Sequence, residues 1–216
     1  MTRQPKVIAP SLLQPDNHAL ILIDLQYLQL LTMRSHDVTI VVNAMALLAK
    51  GAKLFGVRTL LTTAFAERQV LMKEVQAVFP DLTPIDRTTL NPFEDERVVA
   101  WAEDAGRGKL VLAGLWTESC VAMSALSALS IGYEVYIVTD ASGGGSRESH
   151  DMAVLRMVEA GATPLTAGTY LKELQRDWSR TDTASQVMSI YESHGGAYGE
   201  GLRWEWELLG LKESAR

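Results

Sequence analysis

Apolar runs without polar alternation recur along the chain, and segments with helical periodicity separate them. Two of the clearest runs are HALILI at residues 18–23 and KLVLA at residues 109–113. A strand that is covered on both faces has this pattern, and such strands are typical of parallel sheets. With the weaker runs included, the pattern predicts six strands, at residues 18–23, 58–63, 83–86, 109–113, 134–139 and 163–166.

The segments between these strands carry helix signals. Residues 37–55 have apolar positions at a helical period, and Gly56 is typical of the residue that ends a helix. Asn91 and Pro92 are typical of an N-cap followed by proline, and they predict a helix that continues to about Ala105. Further helices are predicted at residues 118–130, 150–160 and 169–178 and a short one within 64–80, whereas residues 1–17 and 25–35 are predicted to be irregular. Strands that alternate with helices predict an α/β fold with a doubly wound sheet.

The pattern changes after residue 178, which divides the chain into a predicted domain at 1–178 and a C-terminal segment at 179–216. A length of 216 residues suffices for one sizeable core and does not require a second. In the C-terminal segment, glycines at 195, 196, 199 and 201 interrupt helical stretches ahead of the apolar sequence LRWEWELLGLK. An apolar segment outside a complete sheet is expected to pack on its own domain or on a neighbouring subunit. We therefore expect a homo-oligomer.

Composition and charge exclude several classes of partner. The formal net charge is −6 and no basic cluster is present, which argues against nucleic acid or an anionic membrane as the main partner. No apolar run reaches the roughly 18 residues that a membrane span needs. The first 17 residues contain three prolines and no continuous apolar stretch, so we expect no export signal. A single cysteine excludes an internal disulfide framework and fits a reducing compartment, and we expect a cytoplasmic protein.

That cysteine, Cys120, lies just after the fourth predicted strand, in the first turn of a predicted helix rich in alanine and serine. Unpaired N–H groups and the positive end of the helix dipole stabilise a thiolate at such a position, so a lowered pKa is expected. The alternative interpretation is a small buried hydrophobic residue, since a cysteine without charged neighbours is inert.

Two other polar residues follow the ends of predicted strands, Asp24 after the first and Arg87 after the third. In open parallel sheets, ligands bind beyond the carboxyl ends of the strands, at the point where the strand order reverses. Individually, Asp24 could cap a turn and Arg87 could be a solvated surface charge. Together with Cys120 they form an acid, a cation and a nucleophile. A carboxylate can take the thiol proton and return it to a leaving group, while a cation keeps the carboxylate ionised.

The motifs ILIDLQ, AGLWTESCV and VTDASGG resemble those of the isochorismatase-like cysteine hydrolases, and most closely those of their YcaC-like branch. The resemblance covers about residues 18–178. It implies a Rossmann-like three-layer α/β/α fold with a six-stranded parallel sheet, and an Asp, Lys, Cys triad that cleaves amide C–N bonds through an acyl-thioester. By position, Asp24 is then the general base and acid, Cys120 is the nucleophile and Arg87 replaces the usual lysine. Arginine cannot release a proton at ordinary pH, so Arg87 can act only electrostatically, and the branch tolerates arginine there.

The resemblance also implies a non-proline cis peptide between Leu115 and Trp116. Its use would be to aim the Trp116 N–H, together with the Cys120 N–H, at the oxyanion that forms during attack on a carbonyl. An ordinary trans turn with Trp116 in the core is the alternative. The same branch forms octameric rings of two tetramers, which adds an octamer to the expectations.

Side chains close to the three strand ends complete a possible pocket for a small carbonyl or amide substrate. An apolar wall with a few amides suits such a compound, although each side chain could serve only loop structure or packing. The candidates are Gln26, Phe65, Glu67, Asn91 and Phe93.

We expect neither metal nor cofactor. His36, His150 and His194 have no partner at metal-ligand spacing. Nicotinamidase-type relatives bind a metal after the second strand, where this chain has TTAFAERQ. The glycines at 143–145 match neither phosphate-binding motif, so a flexible connection is predicted there.

The sequence therefore predicts a cysteine hydrolase that acts on a small amide or related C–N bond through a Cys120 acyl-thioester. Two alternatives remain. One is vinyl ether hydrolysis of the isochorismatase type, which proceeds by protonation from the aspartate and needs no cysteine. The other is a catalytically idle, oligomeric binding protein of the same fold. The substrate itself cannot be read from the sequence, because the pocket-lining side chains decide it.

Overall fold

The computed structural model describes residues 8–210. The predictions for residues 1–7 and 211–216, which cover the start of the irregular N-terminal segment and the end of the C-terminal segment, lie outside this range. None of the helices within residues 8–210 is long and apolar enough to cross a membrane.

Six strands form one parallel sheet in the order β3-β2-β1-β4-β5-β6. They are β1 His18–Ile23, β2 Thr59–Ala64, β3 Ile85–Arg87, β4 Lys109–Gly114, β5 Glu134–Val138 and β6 Thr163–Leu165. Every residue of β1 and β4 is buried, which is the reason that neither run shows polar alternation. The predicted six-stranded parallel sheet is confirmed.

Helices cover both faces of the sheet. They are α1 Tyr27–Thr32, α2 Val38–Leu54, α3 Lys73–Gln76, α4 Glu96–Ala105, α5 Ala122–Ser130, α6 Arg147–Glu159, α7 Ala167–Gln175, α8 Thr181–His194 and α9 Ala197–Leu209. One core lies between the sheet and α2, α3, α7 and α8. The other core lies between the opposite face and α4, α5 and α6. The Rossmann-like three-layer α/β/α architecture is therefore confirmed.

The strand order reverses at the β1–β4 pair, because β2 and β3 lie on one side of it and β5 and β6 on the other. Gly114 ends β4 here with φ +150°, and a Cβ at this position would lie 2.0 Å from the carbonyl oxygen of Ile23. The two backbones can approach this closely only because residue 114 has no side chain. A switch point of this kind is where doubly wound sheets bind ligands.

Three local predictions were wrong. Residues 25–35 are not wholly irregular, because Tyr27–Thr32 forms a short helix whose N-cap residue, Gln26, makes no capping side-chain hydrogen bond. Asn91 is an N-cap with Pro92 at the first helical position, as predicted, but the turn it caps is the 3-10 segment Pro92–Glu94, and Asp95 then caps α4. The helix predicted from residue 118 begins as the π-helical turn Thr117–Val121, and α5 starts only at Ala122.

The C-terminal segment forms α8 and α9. Gly195 and Gly196 separate them, whereas Gly199 and Gly201 lie inside α9 rather than breaking it. Val187, Tyr191 and Leu202 belong to the same core as α2. Other apolar side chains of α9 face outward: Trp204, Leu208 and Leu209 are 58%, 84% and 62% exposed.

Candidate active site

The sheet topology places Asp24, Arg87 and Cys120 at the same edge. Asp24 directly follows β1, Arg87 is the last residue of β3, and Cys120 lies in the π-helical turn that follows β4. All three are buried, with 0%, 4% and 5% of their surface exposed. Asp24 has φ +51°, a left-handed conformation that aspartate tolerates better than most residues. The three residues therefore meet at the switch point, as the strand-end argument predicted.

Asp24 and Arg87 form a buried ion pair. The Nη2 group of Arg87 donates to Oδ2 of Asp24 over 2.6 Å, and the Thr62 hydroxyl donates to Oδ1 over 3.0 Å. The other terminal nitrogen of Arg87 donates to the Thr89 carbonyl. Arg87 is thus not a solvated surface charge, since both ends of its guanidinium are fixed inside the protein. Its position suits electrostatic support of the carboxylate.

The thiol of Cys120 lies beside the Asp24 carboxylate, and the two groups interact electrostatically. Burial raises the pKa of this thiol, and the negative charge of Asp24 raises it further, while Arg87 opposes both effects. The lowered pKa expected from a helix N-terminus is therefore wrong. Cys120 precedes α5 instead of opening it, and desolvation beside a carboxylate disfavours the thiolate.

The pKa of Asp24 is also raised, chiefly because burial disfavours its charge. Arg87, the Cys120 thiol and the hydrogen bond from Thr62 act in the opposite direction. The arrangement thus holds a proton on sulfur next to a carboxylate of increased basicity. Such a pair can transfer the proton when the sulfur attacks an electrophile.

The backbone between β4 and the π-helical turn is held from several sides. The peptide bond between Leu115 and Trp116 is cis, as the resemblance implied. The Leu115 N–H donates to the Ile23 carbonyl over 3.0 Å, and the Thr117 N–H donates to the Gly143 carbonyl over 2.9 Å. The Trp116 indole N–H donates to a backbone carbonyl of α1 over 3.3 Å. Residue 116 is therefore fixed on both sides along the chain and through its side chain.

Two of the five predicted substrate-binding residues are engaged in structural hydrogen bonds. The Gln26 side chain is fully buried; it accepts from the Ala64 N–H over 2.9 Å and donates to the Ala64 and Gln69 carbonyls. Asn91 accepts from the Phe93 N–H and donates to Ser127 of α5 over 2.9 Å. Gln26 thereby ties together the loops that follow β1 and β2.

The remaining three differ in exposure. Phe65, directly after β2, has φ +54° and is 42% exposed. Glu67 is exposed, and Phe93 is buried in the same core as Cys120. A role in substrate binding stays a prediction for all five residues.

Sequence reasoning missed three polar residues that shape the site. The position of Thr62 beside Asp24 can be predicted from the parallel register of the sheet. Thr62 pairs with Ile23 of β1, and Asp24 is the next residue. Thr117 lies within the TESC motif, and its hydroxyl lies 2.8 Å from Nδ1 of His150. The sequence shows His150 only as a histidine without a partner at metal-ligand spacing. Among residues 8–210, no group of three acidic, histidine or cysteine side chains is arranged to hold a metal ion.

Comparison with known proteins shows to which family the chain belongs. Residues 18–169 match the family described as Isochorismatase domain, which is more than half of the chain. The chain belongs to the isochorismatase family. It is 36% identical over 185 residues to the probable hydrolase YcaC of Escherichia coli, which covers 84% of this chain and 88% of that one. The E. coli nicotinamidase is 34% identical over 83 residues, 38% of this chain and 35% of that protein.

Solved structures of two YcaC proteins are similar to this chain. The E. coli YcaC structure, described as an octameric hydrolase of unknown specificity, superposes with a TM-score of 0.86 at 31% identity and covers 94% of this chain and all of that one. YcaC from Pseudomonas aeruginosa, with hexane-2,5-diol and covalent acrylamide, gives a TM-score of 0.84 at 30% identity over 91% of this chain and 98% of that one. The chain is accordingly a YcaC-like hydrolase of the isochorismatase family.

Proposed function

We propose that this hydrolase cleaves a small amide or related C–N bond through a thioester on Cys120. The observation that supports this most is the buried ion pair of Asp24 with Arg87 beside the Cys120 thiol, whose pKa both residues affect. The proposed chemistry uses no metal or cofactor.

In the proposed first step, the sulfur of Cys120 attacks the carbonyl carbon while Asp24 takes the thiol proton. Because the thiol is protonated at rest, proton transfer accompanies attack. The N–H groups of Trp116 and Cys120 bind the oxyanion of the tetrahedral intermediate. When this intermediate collapses, the C–N bond breaks and Asp24 gives its proton to the leaving nitrogen.

Hydrolysis of the thioester repeats this sequence with water. Asp24 takes a proton from the attacking water, the C–S bond breaks, and the proton returns to the sulfur of Cys120. Arg87 keeps the Asp24 carboxylate paired throughout and exchanges no proton. The net reaction is therefore hydrolysis of an amide to an acid and an amine.

The covalent acrylamide of the P. aeruginosa relative also supports the proposal. Acrylamide is a small amide with an electrophilic double bond, so its attachment to a relative fits a nucleophilic site that admits such molecules. Cys120 is the one cysteine of this chain. Intact-mass measurement after incubation with a panel of small amides and acrylamide tests the proposal. Adducts confined to Cys120 support it, and their absence with every compound would end it.

Substitution of Arg87 separates charge from proton transfer. Arg87→Lys is expected to retain most of the activity, because the positive charge beside Asp24 is kept. Arg87→Met, of similar length without charge, should shift the pH dependence of Cys120 alkylation by iodoacetamide towards alkaline pH by roughly 1–3 units, because both ionisations of the Asp24–Cys120 pair lose a nearby cation. A pH curve for Arg87→Met that coincides with the wild-type curve would show that Arg87 has no electrostatic role.

A homo-oligomer is proposed as the working form, and the octamer of E. coli YcaC supports it. The exposed Trp204, Leu208 and Leu209 form an apolar surface on α9 that an isolated chain would leave in water. Light scattering at micromolar concentration should give a multiple of the chain mass. Trp204→Glu with Leu208→Glu should lower that mass while circular dichroism stays unchanged, since both side chains lie outside the core. A wild-type monomer would contradict the oligomer, and an unchanged assembly in the double variant would remove the role of α9.

A further inference from the structure

The His150 side chain reaches from α6 to the turn that carries the proposed oxyanion donor. Its Nδ1 atom lies 2.8 Å from the hydroxyl oxygen of Thr117, and the two residues are 5% and 1% exposed. A hydrogen bond between side chains so far apart in sequence fixes the turn against α6. Neither residue has a part in the mechanism described above.

Thr117 is the neighbour of Trp116, so whatever holds Thr117 also orients the peptide that precedes it. The Thr117 N–H is bonded to the Gly143 carbonyl. With the hydroxyl bonded to His150, Thr117 is held by its backbone on one side and by its side chain on the other. The residue has little freedom to rotate, and its position sets that of Trp116.

His150 is itself held in place. The ring of His36, from the connection between α1 and α2, packs edge-on against it with centroids 4.5 Å apart and an interplanar angle of 89°. His36 Nδ1 lies 2.8 Å from the Ser35 hydroxyl, and that hydroxyl accepts from the Gly144 N–H over 2.9 Å. Burial lowers the pKa of His150 to about 4, so the ring is neutral near pH 7. The Thr117 hydroxyl and the His150 ring therefore form a buried hydrogen bond between two neutral groups.

We propose that Thr117 and His150 are positioning residues of the oxyanion hole, which act by fixing the Trp116 N–H through the hydrogen bond that joins their side chains. The inference rests on the proposed acyl-transfer function. It adds two residues that touch neither the substrate nor the Cys120 thiol. Their loss should weaken stabilisation of the oxyanion and leave the nucleophile and its base intact.

A matched control, a second hydrogen bond between a hydroxyl and a buried histidine, lies at the amino-terminal end of β1, opposite the site. His18, the first residue of β1, accepts from the Tyr170 hydroxyl at Nε2 over 3.0 Å, and both residues are fully buried. The rings meet edge-on, as do those of His36 and His150. Tyr170→Phe removes a hydroxyl that bonds to a buried histidine far from the site. Thr117→Val removes a hydroxyl that bonds to a buried histidine next to the site. Both variants should lower the Tm, but only Thr117→Val should slow acylation.

Two reactions of the full-length protein distinguish positioning from packing. Acylation by p-nitrophenyl acetate passes through a tetrahedral oxyanion, whereas alkylation by iodoacetamide forms none and reports only the thiol and its base. Thr117→Val and His150→Leu should slow single-turnover acylation by about 10- to 100-fold, the scale for a misplaced reacting group or donor, with alkylation unchanged. Thr117→Ser keeps the hydroxyl, and His150→Asn keeps a polar atom near Nδ1, so both should restore most of the acylation rate.

The outcomes separate this inference from the function on which it rests. Slow acylation with normal alkylation in Thr117→Val, restored in Thr117→Ser and absent in Tyr170→Phe, supports the positioning role. Equal acylation by wild type and Thr117→Val overturns that role alone. If acylation and alkylation fall together, the hydrogen bond is only structural and the inference is wrong. If the wild type is not acylated at Cys120, the acyl-enzyme and this inference are both overturned.

Discussion

Replacing Cys120 by alanine is expected to reduce turnover of any amide substrate to the background rate. Removal of the nucleophile of a serine protease costs on the order of 10⁶-fold, and a loss of similar scale is expected here because no other group can form the acyl-enzyme. The same variant should form no covalent adduct with acrylamide, since it contains no cysteine. Turnover measured against a verified substrate, together with intact mass, checks both expectations.

The control for this variant is the folded state. Cys120 is buried beside Asp24 and Val121, and the smaller alanine leaves the rest of the core in place, so the circular dichroism spectrum should match the wild type. Full turnover by Cys120→Ala would exclude the covalent mechanism. Protonation of the substrate by Asp24, as in isochorismatase-type vinyl ether hydrolysis, would then become the leading explanation, and the raised pKa of Asp24 is compatible with it.

Asp24→Asn is expected to change two reactions of Cys120 in opposite directions. Acylation should slow by about 10²- to 10⁴-fold, the usual scale for a positioned acid-base group. Alkylation by iodoacetamide near pH 7 should become faster, because the charge of Asp24 raises the pKa of the thiol and Arg87 lowers it. Loss of Asp24 leaves the buried Arg87 unpaired, which destabilises a protein by about 3–5 kcal/mol, so both rates are to be measured well below the Tm of the variant.

The pH profile of the wild type provides a second test of this pair. The mechanism needs Asp24 ionised and the thiol protonated, so activity should rise as pH passes the raised pKa of the carboxyl group and fall as pH passes the raised pKa of the thiol. The acid limb should thus lie above the ordinary aspartate value of 3.8 and the alkaline limb above 9.0. Slower alkylation in Asp24→Asn than in wild type would contradict the inference that Asp24 raises the pKa of the Cys120 thiol.

The sheet was predictable because strands that are buried on both faces have continuous apolar sequences. The run at residues 18–23 is apolar throughout, Asp24 interrupts it, and β1 has the same bounds in the structure. The parallel sheet then determines which strand ends meet. A parallel sheet therefore predicts, without any side-chain positions, that Asp24, Arg87 and Cys120 lie close together.

The details that sequence missed depend on contacts between distant segments. The neighbouring backbone alone predicts a lowered pKa for Cys120, whereas burial and the charge of Asp24 raise it in the folded chain. The Gln26 amide bonds to the backbone of the loop after β2, a contact that no local sequence pattern indicates. The contact between Thr117 and His150 joins residues 33 positions apart, and neither side chain has a local pattern that indicates it.

The most direct test of the central claim is rapid-quench mass spectrometry of the wild-type protein during turnover of a small amide. One acyl group per chain is expected, located on the peptide that contains Cys120, with rates of formation and decay that account for the steady-state turnover. Asp24→Asn should accumulate this species far more slowly. Turnover that proceeds while Cys120 stays unmodified, or with the acyl group on another residue, would contradict the account.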